Sequence, residues 1–512
     1  MNATTLNRRL DILFVEPDSS TGAYQNLSKT YAAIETPTWS LLLAQSCRSK
    51  GFGVAILDCN VERLKDSHAV QRIHEANPRL VCFVLYGQNP NAGTTNMIGG
   101  TRLCGKLKQA YPEYPTCFAG PHVSALPKEV LSYSFIDMAL LNEGVYALHD
   151  LLGSDLKDDL SRIKGIGYKE DGNIMLNPPQ RVVPESKMDN DLPGYAWDLL
   201  PYDKKPLDIY RSHFWHADYN HAQRTPFAAL YTSWGCPFKC DFCMINIINR
   251  VDNHDGISSA DSSHIRCWSP EFVLREFDKL VGMGVQTIRI SDEMFFLNPG
   301  HFEPLLKGLI KRDYDLRLWS YARVDTIKPA YLDIFRQAGV KWLAMGFETG
   351  NQPIRQKISK GKFDKVDIKK IAGDIDAHGI NVAANYIFGF PDDNFETMRQ
   401  TLDLALDINA PFANFYTCMA LPGSPLYFKA KKNGWKLPDS YEGYSFLSYE
   451  CLPLPTNYVS AKDVLKFRDE AWHKYHTRQE YLDLLEKKFG IEQRKNVEDM
   501  IKVKIKRKIL GD

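Results

Sequence analysis

Three cysteines fall within one short loop: Cys236, Cys240 and Cys243 in the string GCPFKCDFC. A cubane iron–sulfur cluster usually takes four protein thiolates, so a trio at CxxxCxxC spacing can hold three irons and leave the fourth open to a small-molecule ligand. An open position on a redox cluster is a catalytic arrangement. The competing readings are three ordinary buried thiols or a tetrahedral zinc site, and zinc wants a fourth Cys or His nearby. The closest later candidates, His254 and Cys267, stand at no familiar zinc spacing.

The chain has room for such a centre. Its 512 residues accommodate about two to four domains, and 44% apolar content supports real cores. Lys and Arg exceed Asp and Glu by a single charge, which gives no electrostatic reason to expect nucleic acid as a partner. Apart from the trio the eleven cysteines are scattered, and the N-terminal MNATTLNRRLDILFVEP lacks an apolar signal core. No run of about 18 apolar residues occurs, so no membrane span is expected. These features read as a cytoplasmic protein with reduced thiols, a compartment that suits an oxygen-sensitive cluster.

The elements that must position the loop come in two series. In the first, Asp11–Glu16 (DILFVE), Val54–Asp58, Leu80–Tyr86, Thr116–Ala119 and Met138–Leu141 read as buried strands. Helical stretches lie between them at Thr38–Lys50, Glu62–Ala76, Thr94–Ala110 and Pro127–Ser132. Five such units describe an α/β doubly wound, Rossmann-like parallel sheet whose ligand lies across the carboxyl ends of the strands. A plain flavodoxin-like or response-regulator module fits the same pattern.

After a connecting stretch rich in Pro, Asp and Lys, residues 177–224, the second series begins. Ala228–Ser233 is expected to deliver the cysteine loop at its carboxyl end. Further strands are expected at Thr287–Ser291, Arg317–Ala322, Trp342–Phe347, Asn381–Phe388 and Ala413–Met419. Six units suggest a partial (β/α)6 barrel with its active face at the strand carboxyl ends. The remainder, 429–512, reads as a mostly helical extension, aromatic at first (Trp435, Tyr441, Tyr444, Phe446, Tyr449) and charged later. Its terminal KVKIKRK, Lys502–Lys508, reads as a short solvated basic tail.

With Phe242 just before the last cysteine, the loop resembles the signature of the radical S-adenosylmethionine (SAM) superfamily, and the resemblance spans about residues 227–427. In that family the open iron binds the amino and carboxylate groups of SAM, and an electron from the cluster splits the sulfonium to a 5′-deoxyadenosyl radical. The resemblance implies SAM contacts at successive strand ends. Asp292 and Glu293 in SDEMFF would receive the ammonium, and Arg323 in YARVD would pair with the carboxylate through its bidentate guanidinium. Glu348 in MGFETG would accept from ribose hydroxyls or the ammonium, and Asn385 precedes the turn Gly389–Pro391, whose glycine would admit the adenine.

The first series resembles cobalamin-binding domains fused in front of radical SAM domains. The loop GQNPNAGTTN, 87–96, and the segment AGPHVSALPKEVL, 119–131, look like that family's tail-binding loops, and NEG at 142–144 sits where the family often has a Gly-Glu pair. This implies cobalamin contacts from Gly93, Thr94, Thr95, Gly120, His122, Ser124 and Glu143. The loop after the first strand, DSSTGAYQNLSKTYAAIETP, is long enough to cover the corrin face. It lacks the Asp-x-His-x-x-Gly that supplies a histidine to cobalt, and Asp66-Ser-His68 follows the wrong strand, so His68 reads as helix surface. Relatives with both domains often lack that histidine too and have the loop after the third strand near the lower cobalt face, so the resemblance implies Gln88 or Asn89 there.

The two resemblances together imply 1–180 as a cobalamin-binding domain with the start of a linker, 181–224 as linker, 225–428 as radical SAM domain and 429–512 as an extension capping the substrate pocket. They imply a 4Fe-4S cluster, SAM and cobalamin as cofactors, a flavodoxin- or ferredoxin-type electron donor, a small-molecule substrate and a monomer. The activity they point to is C-methylation. By that resemblance one SAM would methylate cobalamin, a second would supply the radical that takes a hydrogen atom from an unactivated carbon, and the substrate radical would capture the methyl group. Alternatives are a non-methylating cyclase or oxidase with the same cofactors, and a non-catalytic cobalamin and iron–sulfur sensor.

Overall fold

The computed structural model describes residues 10–156, 159–212, 226–252, 254–256, 263–359 and 366–512. Its first sheet has seven strands: β1 (Ile12–Glu16), β2 (Val54–Asp58), β3 (Leu80–Val84), β4 (Thr116–Ala119), β5 (Met138–Leu140), β6 (Ile166–Glu170) and β7 (Asn173–Leu176), in the order β2-β1-β3-β4-β5-β6-β7. The first five run parallel. Alternation along the strands divides two apolar faces. Ile12, Phe14, Leu80 and Cys82 join the helices Thr38–Ser49 and Val145–Gly153, whereas Leu13, Val15, Val81 and Phe83 join Asp66–Ala76 and Gly93–Ala110. Strands buried on both faces by helices are the doubly wound arrangement. The pair β6–β7 extends the sheet as an antiparallel hairpin, turning at Asp171 and Gly172, both at positive φ, as a tight Asp-Gly hairpin requires.

The second sheet contains β8 (Phe227–Leu230), β11 (Thr287–Ile290), β12 (Arg317–Arg323), β13 (Val340–Glu348), β14 (Asn381–Phe388) and β15 (Phe412–Thr417), all parallel, in the order β15-β14-β13-β12-β11-β8. It is the expected six-stranded partial barrel. The first strand is shorter than the sequence suggests. It stops at Leu230 because the Thr232 amide turns to the Asp292 carboxylate, 2.6 Å away, and the chain then forms the two-residue strand β9 (Ser233–Trp234), antiparallel to β10 (Arg266–Cys267).

Three devices join the sheets. Residues 181–212 form a packed strap, with Val183, Met188, Leu192, Tyr195, Trp197 and Tyr210 buried. Tyr195 bonds both the carbonyl (3.0 Å) and amide (2.8 Å) of Tyr231, and Trp268 donates to the Leu192 carbonyl at 2.9 Å. The loop after β1 lies along the free edge of β8, where the Thr36 hydroxyl accepts from the Ala229 amide at 2.9 Å and donates to its carbonyl at 3.3 Å. An unpaired strand edge is thereby satisfied by a side chain rather than a seventh strand. Glu143, after β5, is ion-paired at 2.6 Å with Arg266 of β10, both buried, and also accepts from the Val183 amide at 2.8 Å.

Candidate functional site

The cysteine loop leaves β9 through Gly235 at φ 98°, a left-handed conformation disfavoured by side chains. A Cβ there would also run into the Asn249 side chain and the His264 carbonyl, so the turn into Cys236 requires glycine. The Cys243 amide donates to the Cys240 carbonyl at 3.2 Å, and Phe242 packs 5.6 Å from Phe390 in the turn after β14. Burial pushes the Cys236 thiol up to about 12 and Cys243 to about 11, and holds Cys240 well above the ordinary thiol value. Iron must therefore displace protons on binding, as thiolate ligation generally requires. Among the described residues no three His, Cys, Asp or Glu side chains converge as for a single ion. The three sulfurs instead border one cavity from one loop, the soft donor set of an iron–sulfur cluster.

Three of the residues expected to seat SAM line that same cavity at consecutive strand ends. Glu293 follows β11; its Oε1 is buried without a hydrogen-bond partner, and burial pushes the carboxyl up to about 8. A buried acid left unmatched at a cavity wall is matched by a cationic ligand group, such as an ammonium. Arg323 ends β12, with its guanidinium 3.7 Å from the Phe238 ring centroid inside the cysteine loop and its Nε 2.8 Å from Asp325. Glu348 ends β13 at φ 59°, where the ladder to β14 slips after Gly346. A non-glycine residue in this region is strained, and such strain gathers at ligand sites. A Cβ on Gly346 would collide with the Glu348 carboxylate, so the small residue makes room for the acid. Burial raises Glu348 to about 7 against the opposing effect of Arg323.

The remaining expected SAM contacts behave differently. Asp292 is fully buried behind the wall and accepts from the Thr232 amide and hydroxyl at 2.6 Å each and from the Ser233 hydroxyl at 2.5 Å. It splices β11 to the start of the cysteine loop, and its neighbour Glu293 faces the cavity. Asn385 does line the cavity, accepting from Asn414 at 2.9 Å and donating to the Met345 carbonyl at 3.3 Å, a polar rung across β13–β15. At Gly389 a Cβ would strike Val464 of the C-terminal helix Ala461–His476, so packing of that helix explains this glycine.

The expected cobalamin contacts also divide. Gln88, Asn89 and Thr95 border the same cavity as the cysteines, together with Asn91 and Ala92. Gly93, Thr94, Gly120, His122, Ser124 and Glu143 lie behind them. A Cβ on Gly93 would press on Pro121, and one on Gly120, at φ 152°, on the Leu85 carbonyl, so these glycines let the loops after β3 and β4 pack together. Thr94 and His122 share a 3.0 Å hydrogen bond, with Glu129 3.2 Å from the far side of the imidazole. Ser124 accepts from the Asn142 amide at 2.8 Å. His68 is exposed on its helix, as expected.

The cavity has a volume of about 920 Å³. Its lower part, inside the barrel, is apolar, with Trp319, Ala344, Ala383 and Phe412, and the loop after β1 adds Tyr24 and Tyr31. The terminal basic segment closes another side and is no solvated tail. Arg507 is buried, bonding both Asp469 carboxylate oxygens at 2.9 Å and the Phe446 carbonyl at 2.8 Å, and Gln25 pairs with the Lys506 backbone at 3.1 and 3.3 Å. Val503 and Ile505 line the cavity between exposed lysines. Among the described residues no helix is long and apolar enough to cross a membrane.

Comparison with known proteins agrees with this geometry. Residues 230–405 match the model of the Radical SAM superfamily, and residues 27–152 match that of the B12 binding domain. An uncharacterized methyltransferase of Pyrococcus horikoshii is 24% identical over 77% of this chain and 78% of its own. An anaerobic magnesium-protoporphyrin IX monomethyl ester cyclase of Rubrivivax gelatinosus is 24% identical over 86% of this chain and 72% of its own. The structure of the radical SAM methyltransferase TsrM from Kitasatospora setae, with cobalamin and a 4Fe-4S cluster bound, superposes with a TM-score of 0.64 at 16% identity, covering 91% of this chain and 89% of that one, a likeness of fold.

Proposed function

The chain belongs to the cobalamin-dependent radical SAM enzymes, with a 4Fe-4S cluster, SAM and cobalamin as cofactors, and from that premise we propose that it methylates an unactivated carbon of a small-molecule substrate. The observation that carries the reading is a single cavity shared by the cysteine trio, the strand-end residues Glu293, Arg323 and Glu348, and the loop Gln88–Thr95 of the first sheet. When bound, the cofactors supply a carbon-centred radical from SAM and a methyl carrier in cobalamin. The chain's own residues bind, orient and dry the site. Arg323 would pair with the SAM carboxylate, Glu293 and Glu348 would take its cationic and hydroxyl groups, and Gln88 and Asn89 would help hold cobalamin at their side of the cavity.

The apolar lower lumen points to a substrate with an extended apolar surface, and the Asn385–Asn414 rung offers a neutral hydrogen-bonding handle. The C-terminal segment excludes water, which protects a radical from quenching. A flavodoxin- or ferredoxin-type protein would deliver electrons to a monomer. The likeness to the magnesium-protoporphyrin cyclase supports the rival reading of a non-methylating catalyst. Deuterated methyl-SAM separates the two. Methylation yields labelled product with S-adenosylhomocysteine and 5′-deoxyadenosine in step, whereas deoxyadenosine with turnover and no S-adenosylhomocysteine favours the cyclase or oxidase.

A further inference from the structure

One side chain of the cobalamin-side loop reaches the cysteine loop directly. Asn91 stands in the short 3₁₀ turn Pro90–Ala92, where its amide is held by the Asn89 side chain at 3.0 Å. Its Oδ1 accepts from the Met244 amide at 2.7 Å, and its Nδ2 lies 3.7 Å from the Cys243 sulfur. The two contacts fix each other. Because Oδ1 receives a backbone N–H that only an acceptor can satisfy, the amide can be turned only one way, and its N–H faces sulfur. The contact joins residues 152 positions apart and bridges the two sheets at the cavity.

We propose that Asn91 is a positioning residue that sets the reduction potential of the cluster by donating a hydrogen bond to the Cys243 sulfur. An N–H aimed at a thiolate stabilises the more negative, reduced cluster, so hydrogen bonds to sulfur raise the potential and their loss lowers it. The bond would also hold the cysteine loop against the loop that carries Gln88 and Asn89, so electron uptake at the cluster depends on a residue of the cobalamin side.

The inference rests on the cluster reading, and the experiment separates the two. Full-length protein, reconstituted anaerobically with iron, sulfide and hydroxocobalamin, is titrated potentiometrically with the reduced cluster followed by electron paramagnetic resonance. Asn91→Asp keeps the acceptor for Met244 and turns a carboxylate oxygen to sulfur, and Asn91→Ala removes both contacts. Both variants should retain the parent's iron and sulfide. Asn91→Ala should make the cluster about tenfold harder to reduce at fixed reductant, about 59 mV for a one-electron couple, and Asn91→Asp harder still. Parent-like potentials in loaded variants would overturn the proposal. So would loss of iron from both variants with unchanged circular dichroism, since Asn91 would then hold the cluster rather than tune it. A parent protein that binds no iron would instead defeat the cluster reading.

Discussion

At the scale of single residues, the site depends on acids kept from their ordinary ionisation by burial. Glu293 and Glu348 sit at about 8 and about 7, so Glu348 gains its charge around neutrality and Glu293 about a unit above it. A cationic ligand group favours the charged forms. Equilibrium binding of SAM to the cluster-loaded protein should therefore tighten as pH rises toward about 7 to about 8 and level off above that, and Glu293→Gln should flatten part of that rise. A profile that is flat or falls with pH would contradict the assignment. The thiols make a sharper prediction. Cys236→Ala, Cys240→Ala and Cys243→Ala should each abolish reductive SAM cleavage, while Ala at buried Cys47, Cys104 or Cys418 should leave iron content unchanged, as iron analysis and deoxyadenosine assays would read.

These residues were also the most legible ones, because the chemistry imposes a spacing that survives without any structure. The limit shows at Asp292 and Glu293. Adjacent residues at a strand end face opposite sides, and only the position of Thr232 and Ser233 reveals that Asp292 braces the fold while Glu293 meets the cavity. Asn91 left no trace in the sequence, since its partner is a distant loop.

At the scale of elements, the strands were read from buried apolar runs, and the misses have particular causes. The β6–β7 hairpin carries an Asp-Gly turn signal, Asp171–Gly172, in the span between the last expected strand of the first series and the connecting stretch, where no element was expected. The terminal KVKIKRK alternates cation and apolar residue, which is the period of an extended segment with one buried side; its charge hid that period. Val503→Asp or Ile505→Asp should therefore impair product formation while iron and cobalamin loading stay at parental levels, and equal turnover by such a variant would return the segment to the solvent. The contact between β10 and the loop after β5 carries a stability prediction. Arg266→Ala strands Glu143 as a buried unpaired acid and should cost about 3–5 kcal/mol, lowering the denaturation midpoint. Adding Glu143→Gln should recover part of the loss, because coupled neighbours are non-additive. An unchanged midpoint in the single variant would show that the pair holds nothing.

At the scale of the whole molecule, two α/β units become one site because neither closes its own. Among the described residues no strand joins β8 to β15, and the loop after β1, the strap 181–212 and the C-terminal segment pack around the open barrel, each bringing residues that are far apart in sequence. No periodicity predicts such packing, which explains why two sheets were foreseeable and their shared cavity was not. The shared cavity is the central claim. Electron paramagnetic resonance of protein holding both a reduced cluster and cob(II)alamin tests it most directly, because two unpaired spins bound in one cavity perturb each other. The account predicts that both signals are broadened or split relative to preparations holding one centre alone, with no nitrogen coupling from a protein imidazole on cobalt; an unperturbed sum of the two separate spectra would contradict it.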